Sequence, residues 1–173
     1  MKKILVASDI HGSAKYCQKF IEAFHQENAD TLLLLGDILD GDREVASMLN
    51  ELNQSKLILS VRGNCDYPED QALLAFPIMA EYCLLYVNTK RIYAAHGHRG
   101  IPNLTSGDIF LHGHTHVPTW GMGQNYFDFN PGSVSEPRRG SPHSYMIIDD
   151  EGFTWKDLNG KIINNDKESY ENE

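Results

Sequence analysis

The first third of the chain alternates short apolar runs with amphipathic helical segments. KKILVAS, TLLLLG and KLILSV are apolar runs of strand length. Between them, Ser13 is a predicted cap for a helix that runs to about Asn28, and a second helical pattern runs from about Arg43 to Asn53. This order of strand, helix, strand, helix, strand predicts a parallel sheet with right-handed crossovers.

The pattern changes from about residue 80. Short strand-like runs separated by turn residues follow one another, without a helix of any length between them: EYCLLYV, RIYAA, DIFLHG, QNYFDFN, SYMIIDD and FTWKDL. The second half is therefore predicted to be mostly antiparallel. Because neither a repeat nor a low-complexity linker interrupts the chain, we expect a single domain over residues 1–163. Residues 164–173 are expected to form a frayed acidic tail.

Composition and charge restrict the class of protein. Hydrophobic residues make up 41% and charged residues 23%, which is typical of a soluble globular chain. The first apolar run ends at Ala7, too early for a secretory signal, and no run approaches the roughly 20 residues that span a bilayer. We expect a cytoplasmic protein that does not bind membranes. Three cysteines without a C-x-x-C pair argue against a disulfide framework and a structural zinc site.

The net charge of -9 should repel the backbone of polymeric nucleic acids. An anionic substrate would need local positive charge, from metal ions or a few arginines.

Five apolar runs each end in candidate metal ligands. Any one of these residues alone could be a turn former, a helix cap or an ordinary polar residue. Together they follow successive strands at the same end, which is where ligands bind in α/β sheets. If the backbone is extended, residues two apart in DIH and HTH point to the same side. The candidates are Asp9, His11, Asp37, Asn64, His96, His114 and His116.

All of these donors are oxygen or nitrogen atoms. Such a set suits Mn, Fe(II), Zn, Co or Ni. Seven donors exceed the three or four protein ligands of a catalytic zinc, and they suffice for two metals if one carboxylate bridges.

DIH, GD, GNCD, a single His and GHTH stand in the order of the calcineurin-like binuclear metallophosphoesterase superfamily, which the chain resembles. RGNCD, AHGH and FNPGSVSEP make it most similar to the YfcE-like phosphodiesterase subfamily. The resemblance implies an α/β fold in which two mixed β-sheets pack as a sandwich flanked by helices, a four-layer αββα arrangement. It also implies hydrolysis of small phosphodiesters by attack of a metal-bridging hydroxide on phosphorus.

The resemblance further implies which residues hold the metals. Asp9, His11 and His116 would hold the first ion, Asn64, His96 and His114 the second, and Asp37 would bridge them. Manganese is the frequent activator in this family, although the donor set alone also admits Zn, Fe, Ni or Co.

Asn64 and Cys65 are the candidate catalytic residues. Many relatives carry a histidine where Cys65 stands, and a neutral thiol can donate a proton but brings no positive charge. We therefore expect activated diesters to be preferred. The alternative of a nucleophilic Cys65 is disfavoured, because the metals already activate a hydroxide. Asp66 either orients a neighbour or shapes the turn.

Five further residues lie near the predicted site. His98 is a candidate contact for the substrate phosphate or a support for a neighbouring ligand. Asn130 and Ser133 are expected to shape the site, and Arg138 or Arg139 could attract phosphate.

Two other functions agree less well with these residues. A scaffold like the retromer subunit Vps29 has the same fold, but the complete ligand set argues against it, and Cys65 argues against a vigorous monoesterase. Exposed tyrosines and the strand-rich second half could support a homodimer.

Overall fold

Two mixed β-sheets make up most of the chain. The computed structural model describes residues 2–87 and 89–166. The elements, numbered in chain order, are β1 Ile4–Ala7, α1 Ala14–Gln26, β2 Thr31–Leu34, α2 Arg43–Asn53, β3 Leu57–Ser60, α3 Pro68–Gln71, β4 Cys83–Val87, β5 Lys90–Ala94, β6 Ile109–Leu111, β7 Thr119–Met122, β8 Phe127–Asn130, β9 Ser144–Asp149, β10 Gly152–Asp157 and β11 Ile162–Asp166.

Sheet A has six strands in the order β11-β10-β9-β1-β2-β3. The three strands β1, β2 and β3 are parallel, as the alternating pattern predicts. On the other side of β1, the antiparallel strands β9, β10 and β11 complete the sheet. The carboxyl ends of β1, β2 and β3 therefore meet at one edge.

Sheet B has five strands in the order β4-β5-β6-β8-β7. Its central pairs, β5 with β6 and β6 with β8, are parallel, so the prediction of antiparallel pairing is wrong at the centre of this sheet. Irregular connections, rather than helices, carry the chain back between these strands. The consequence for the site is that β5 and β6 also end at the same edge.

Alternate residues of sheet A face two separate cores. One face packs against α1 and α2, through side chains such as Leu32, Phe24 and Leu49. The other face packs against sheet B, through side chains such as Leu33 and Ile109. The sandwich of two mixed sheets is therefore confirmed, with helices over sheet A.

A second helical layer over sheet B, as the four-layer arrangement requires, is not found among the described residues. Every helix there precedes β4 in the chain. Ile92 and Ala94 face the inter-sheet core, so Tyr93 between them points outward. Tyr93 lines a cleft together with residues 97–102, so part of the β5–β6 connection lies on this outer face.

The element boundaries are close to those predicted. Helix α2 spans the predicted range, whereas α1 ends two residues early, at Gln26. The predicted domain end at residue 163 falls inside β11, which pairs with β10 as far as Asp166. The boundary is corrected accordingly, because the β10–β11 hairpin supplies hydrogen-bond partners for these polar residues. The rest of the predicted tail lies outside the described residues.

Across residues 2–87 and 89–166, none of the helices has the length and hydrophobicity required to cross a bilayer.

Candidate metal centre

The backbone turns sharply where the strands end. Among the described residues, eight non-glycine residues have positive φ, and five of them are predicted metal ligands. This conformation costs roughly 1–3 kcal/mol for each such residue, and strain of this kind concentrates at functional sites. These five ligands are Asp9 (55°), His11 (47°), Asp37 (53°), His114 (63°) and His116 (62°). The backbone of DIH and HTH is therefore not extended, so the predicted extended geometry is wrong.

The first group of donors contains Asp9, His11 and His116, whose ligand atoms lie within 4.8 Å of one another. Asp9 Oδ1 lies 3.2 Å from His116 Nε2 and 3.8 Å from His11 Nε2. Asp9 Oδ1 and His11 Nε2 are buried and have no hydrogen-bond partner. Burying unpartnered polar atoms is costly, and a cation between them would satisfy both, so these residues fit a metal ion.

The second group contains Asp37, His96 and His114, again with ligand atoms within 4.8 Å. His96 Nε2 lies 3.3 Å from Asp37 Oδ2 and 3.2 Å from His114 Nδ1. The amide oxygen of Asn64 adds a fourth donor, 3.0 Å from His96 Nε2. The structure thus brings together all the predicted metal ligands, in two adjacent groups.

Asp37 lies where the two groups meet. Its Oδ2 is 3.3 Å from His96 Nε2 of the second group and 3.6 Å from His11 Nε2 of the first. Burial disfavours its charge, but the hydrogen bond and charge of His96 and the backbone N–H of Cys65 lower its pKa to about 2. The side chain is therefore a carboxylate at neutral pH, as a bridging ligand must be.

Backbone carbonyls fix the proton on two of the four histidines that are predicted ligands. His96 Nδ1 lies 2.7 Å from the Leu35 carbonyl, and His116 Nδ1 lies 2.7 Å from the Glu136 carbonyl. A carbonyl oxygen only accepts, so each Nδ1 donates and each Nε2 keeps its lone pair for a metal when the ring is neutral. His114 is the exception, because its Nδ1 faces the other donors.

Asp40 supports the third of these rings. Its Oδ2 lies 3.0 Å from His11 Nδ1, which leaves His11 Nε2 directed at the site. A carboxylate in this position orients a ligand histidine and makes it more basic. This role of Asp40 was not predicted from the sequence, where the available signal is a second carboxylate three residues after Asp37.

The charges of the site also perturb the histidines. Burial opposes protonation of His96, but the adjacent Asp37 carboxylate raises its pKa, and the adjacent Asp9 carboxylate raises the pKa of His116. Burial and the neighbouring His96 lower the pKa of His114. A metal ion must displace the protons that the carboxylates attract to these rings.

Asp66 holds the backbone that carries Asp37. This fully buried side chain accepts hydrogen bonds from the N–H groups of Asp37 (2.8 Å), Ile38 (2.9 Å) and Gly63 (2.6 Å). Asp66 could either orient a neighbour or shape the turn, and these contacts show that it orients the backbone of Asp37. Gly63 is required by close approach, since a Cβ there would overlap the Asp37 carboxylate.

Cys65 lies beside both Asp37 and Asp40. Its N–H donates to Asp37 Oδ1 at 2.8 Å, and its sulfur lies within 4.8 Å of ligand atoms of His11 and Asp40. Burial, together with the charges of these carboxylates, raises the pKa of the thiol to about 11. The metal-free site therefore favours the protonated thiol.

The NPGS segment supports backbone in both donor groups. Ser133 donates to the Asp9 carbonyl at 2.8 Å, and the amide of Asn130 donates to the Gly113 carbonyl at 2.8 Å. Both residues thus contact backbone that carries ligands.

His98 and the two arginines lie at the edge of the centre. The His98 ring lies 5.4 Å from that of His96 and 6.2 Å from that of His114, and burial and the charge of His96 lower its pKa. The backbone N–H of Arg138 donates to the His116 carbonyl at 3.1 Å. The side chains of Arg138 and Arg139 are exposed.

Comparison with known proteins identifies the family. Residues 1–152 match the calcineurin-like phosphoesterase superfamily domain. The chain belongs to this superfamily. Its curated relatives include the protein named phosphodiesterase YfcE of Escherichia coli K12, 38% identical over 94% of this chain and 96% of the relative.

Solved structures of other proteins share the fold of this chain. That of YfcE, described as a phosphoesterase from E. coli, superposes with a TM-score of 0.85 at 36% identity, covering 94% of this chain and 97% of that one. Vps29 of Entamoeba histolytica complexed with Zn2+ shares the fold alone, with a TM-score of 0.62, 21% identity, and coverage of 88% and 89%. The family and the clustered donors together support binding of divalent metal ions.

Proposed function

We propose that this chain hydrolyses small phosphodiesters with the help of two divalent cations. The observation that carries the proposal is the position of Asp37 Oδ2, between His96 Nε2 of one donor group and His11 Nε2 of the other. In this assignment Asp37 would be shared by the two cations. Asp9, His11 and His116 would hold the first, and Asn64, His96 and His114 would hold the second.

When bound, two divalent cations supply Lewis-acid charge and lower the pKa of a coordinated water toward neutrality. The chain's own residues hold and orient the reacting groups. Asn64 contributes its amide oxygen to the second ion, and its Nδ2 lies 3.3 Å from the Cys65 sulfur. Cys65 is assigned as the proton donor to the leaving group.

The charge around Cys65 favours diesters over monoesters. A phosphodiester carries one negative charge, whereas a phosphomonoester carries nearly two at neutral pH. The neutral thiol offers no positive charge to the second oxygen anion, and the Asp40 carboxylate beside it repels that anion. His98 would contact the phosphate from the side of His96 and His114.

Manganese is the proposed metal, because oxygen and nitrogen donors and a shared carboxylate suit it; Zn, Fe, Ni and Co are the alternatives. We further propose a single-domain cytoplasmic protein. Its net charge of -9 argues against polymeric nucleic acid as a partner, and the exposed Tyr82 and Tyr86 support a homodimer, which sedimentation would test.

The test is elemental analysis combined with turnover of bis-(p-nitrophenyl) phosphate in Mn(II). We expect about two equivalents of metal per chain and turnover that EDTA abolishes. Asp37→Ala should lose both metal and turnover, because both donor groups lose their shared carboxylate. Full turnover in this variant would refute the site.

The scaffold alternative predicts another result. Since one Vps29 structure is itself described as a complex with Zn2+, metal content alone does not distinguish the two functions. A metal-loaded protein that is inert toward diesters would favour the scaffold.

A further inference from the structure

A small cleft opens beside the second donor group. It has a volume of about 210 Å³, and His96 forms part of its wall. Drug-sized ligands fill pockets of about 300–1,000 Å³, so this cleft suits a single ring-sized substituent. The residues that carry the argument are Tyr93, His96, His98, Arg99, Ile101 and Pro102.

The lining is aromatic and aliphatic, with a charged rim. The Tyr93 ring stacks on that of Tyr82, with centroids 5.0 Å apart and planes at 16°, so its orientation is fixed. Ile101 lines the same cleft although 60% of its surface is exposed. Arg99 is held at the rim by Glu81, with Nε 3.2 Å from Oε2. Aromatic rings and guanidinium planes both bind flat rings by stacking.

We propose that this cleft binds one ester substituent of the substrate, and that this substituent is a planar aromatic or heterocyclic ring. The inference rests on the proposed phosphodiesterase function and specifies its substrate class. His98 also lines the cleft, and its ring lies 5.4 Å from that of His96 and 6.2 Å from that of His114, which are both assigned to the second cation, so a ring in the cleft would lie beside a phosphate held by that ion.

The position of Cys65 determines which substituent lies in the cleft. Its sulfur lies 3.3 Å from Asn64 Nδ2 and within 4.8 Å of ligand atoms of His11 and Asp40, and none of these residues lines the cleft. If Cys65 gives its proton to the leaving group, the leaving group lies outside the cleft. The cleft then takes the substituent that stays on phosphorus.

A pair of substrates with the same leaving group tests this inference. Phenyl p-nitrophenyl phosphate and methyl p-nitrophenyl phosphate both release p-nitrophenol and differ in the retained substituent. We expect kcat/KM to be at least about fivefold higher for the phenyl compound, the lower end of what stacking on an aromatic side chain contributes. The preference should be corrected for the intrinsic reactivity of the two esters, measured in hydroxide.

Substitutions of residues that line the cleft test whether the cleft causes the preference for the phenyl compound. Tyr93→Ala should reduce the ratio of kcat/KM for the phenyl compound to that for the methyl compound to less than about two. Ile101→Ala should also reduce it, and since Ile101 is largely exposed this change should leave the fold intact. Leu57→Ala is the matched control, because Leu57 is 56% exposed and does not line the cleft. Equal rates for both substrates, or equal loss in the control, would overturn the inference.

A binding measurement separates this inference from the proposed function. In the Zn(II)-loaded protein, diphenyl phosphate should shift the backbone amide resonances of Gly97, Gly100 and Ile101, whereas dimethyl phosphate should not. Shifts without turnover of either p-nitrophenyl ester would sustain the cleft and refute the phosphodiesterase. Turnover without these shifts would sustain the phosphodiesterase function and refute the binding of a ring in the cleft.

Discussion

At the scale of single residues, Asp66 shows how far the centre depends on side chains that hold no metal. One oxygen accepts from the N–H groups of both Asp37 and Gly63, and the other accepts from that of Ile38. In Asp66→Asn, the NH2 group would face at least one of these donors in either orientation. We expect a loss of about 1–3 kcal/mol in the free energy of unfolding, together with weaker metal binding.

Asp70→Asn is the matched control for this prediction. Asp70 is also buried, and its two oxygens accept from the N–H groups of Gly41 and Tyr67. Urea unfolding should show a similar loss of stability in both variants, while titration with Mn(II) should show weaker binding only in Asp66→Asn. Unchanged metal affinity in the Asp66 variant would mean that Asp66 stabilises the turn without positioning Asp37.

Cys65 supports a second prediction. Since a thiol carries no positive charge, Cys65→His would bring a ring that can carry positive charge to the leaving-group side. We expect faster cleavage of diesters with poorer leaving groups, measured as a shallower dependence of kcat/KM on the leaving-group pKa. Cys65→Ser, which keeps a neutral donor, should retain the wild-type dependence. Collapse of turnover in the serine variant would instead support a nucleophilic cysteine.

The donor residues that the structure brings together could be predicted from the sequence, but the residues that hold them in place could not. Asp9, His11 and the other donors follow apolar runs directly, which is a local signal. Asp40 and Asp66 act through contacts with residues 29 positions away in the chain. Such contacts depend on how loops meet in three dimensions, and a single sequence does not encode them in its spacing.

At the scale of elements, the two main helices begin with different caps. Asp42 accepts from the Val45 N–H at 2.8 Å, whereas the predicted cap Ser13 makes no side-chain capping bond to α1. We therefore expect Asp42→Ala to cost about 1 kcal/mol of unfolding free energy. Ser13→Ala should cost less than about 0.5 kcal/mol. Urea unfolding of both variants measures the difference, and equal losses would contradict it.

The strand patterns were informative where helices alternated with them. The parallel order of β1, β2 and β3 followed from the amphipathic helices between them. Strands β5, β6 and β8 are also parallel, but irregular segments connect them. Without a helical pattern between the strands, their parallel pairing could not be predicted from the sequence. Strand β7 was missed because TWGM is short, contains glycine and has an exposed face.

At the scale of the whole molecule, metal binding should make stability depend on pH. The raised pKa of His96 and of His116 stabilises the metal-free fold below their ordinary value of 6.5, and this contribution is lost as the pH rises through the raised values. Metal ions need the unprotonated rings, so their binding strengthens over the same interval. The increase in melting temperature from EDTA to Mn(II) should be larger at about pH 8 than at about pH 6.

Differential scanning fluorimetry in matched buffers measures this increase. Asp37→Ala is the control and should show little Mn(II)-dependent change at either pH. An increase that is as large at the lower pH would contradict the assignment of these two histidines as ligands.

The positions of the donors have a mechanical consequence. Asp9, His11, Asp37 and Asn64 follow strands of sheet A, while His96, His114 and His116 follow strands of sheet B. Each proposed cation therefore takes ligands from both sheets and links the two sheets at one edge of the sandwich. Sliding or separating the layers would have to break coordinate bonds first. Substrate turnover and resistance to shear between the layers would then depend on the same two ions.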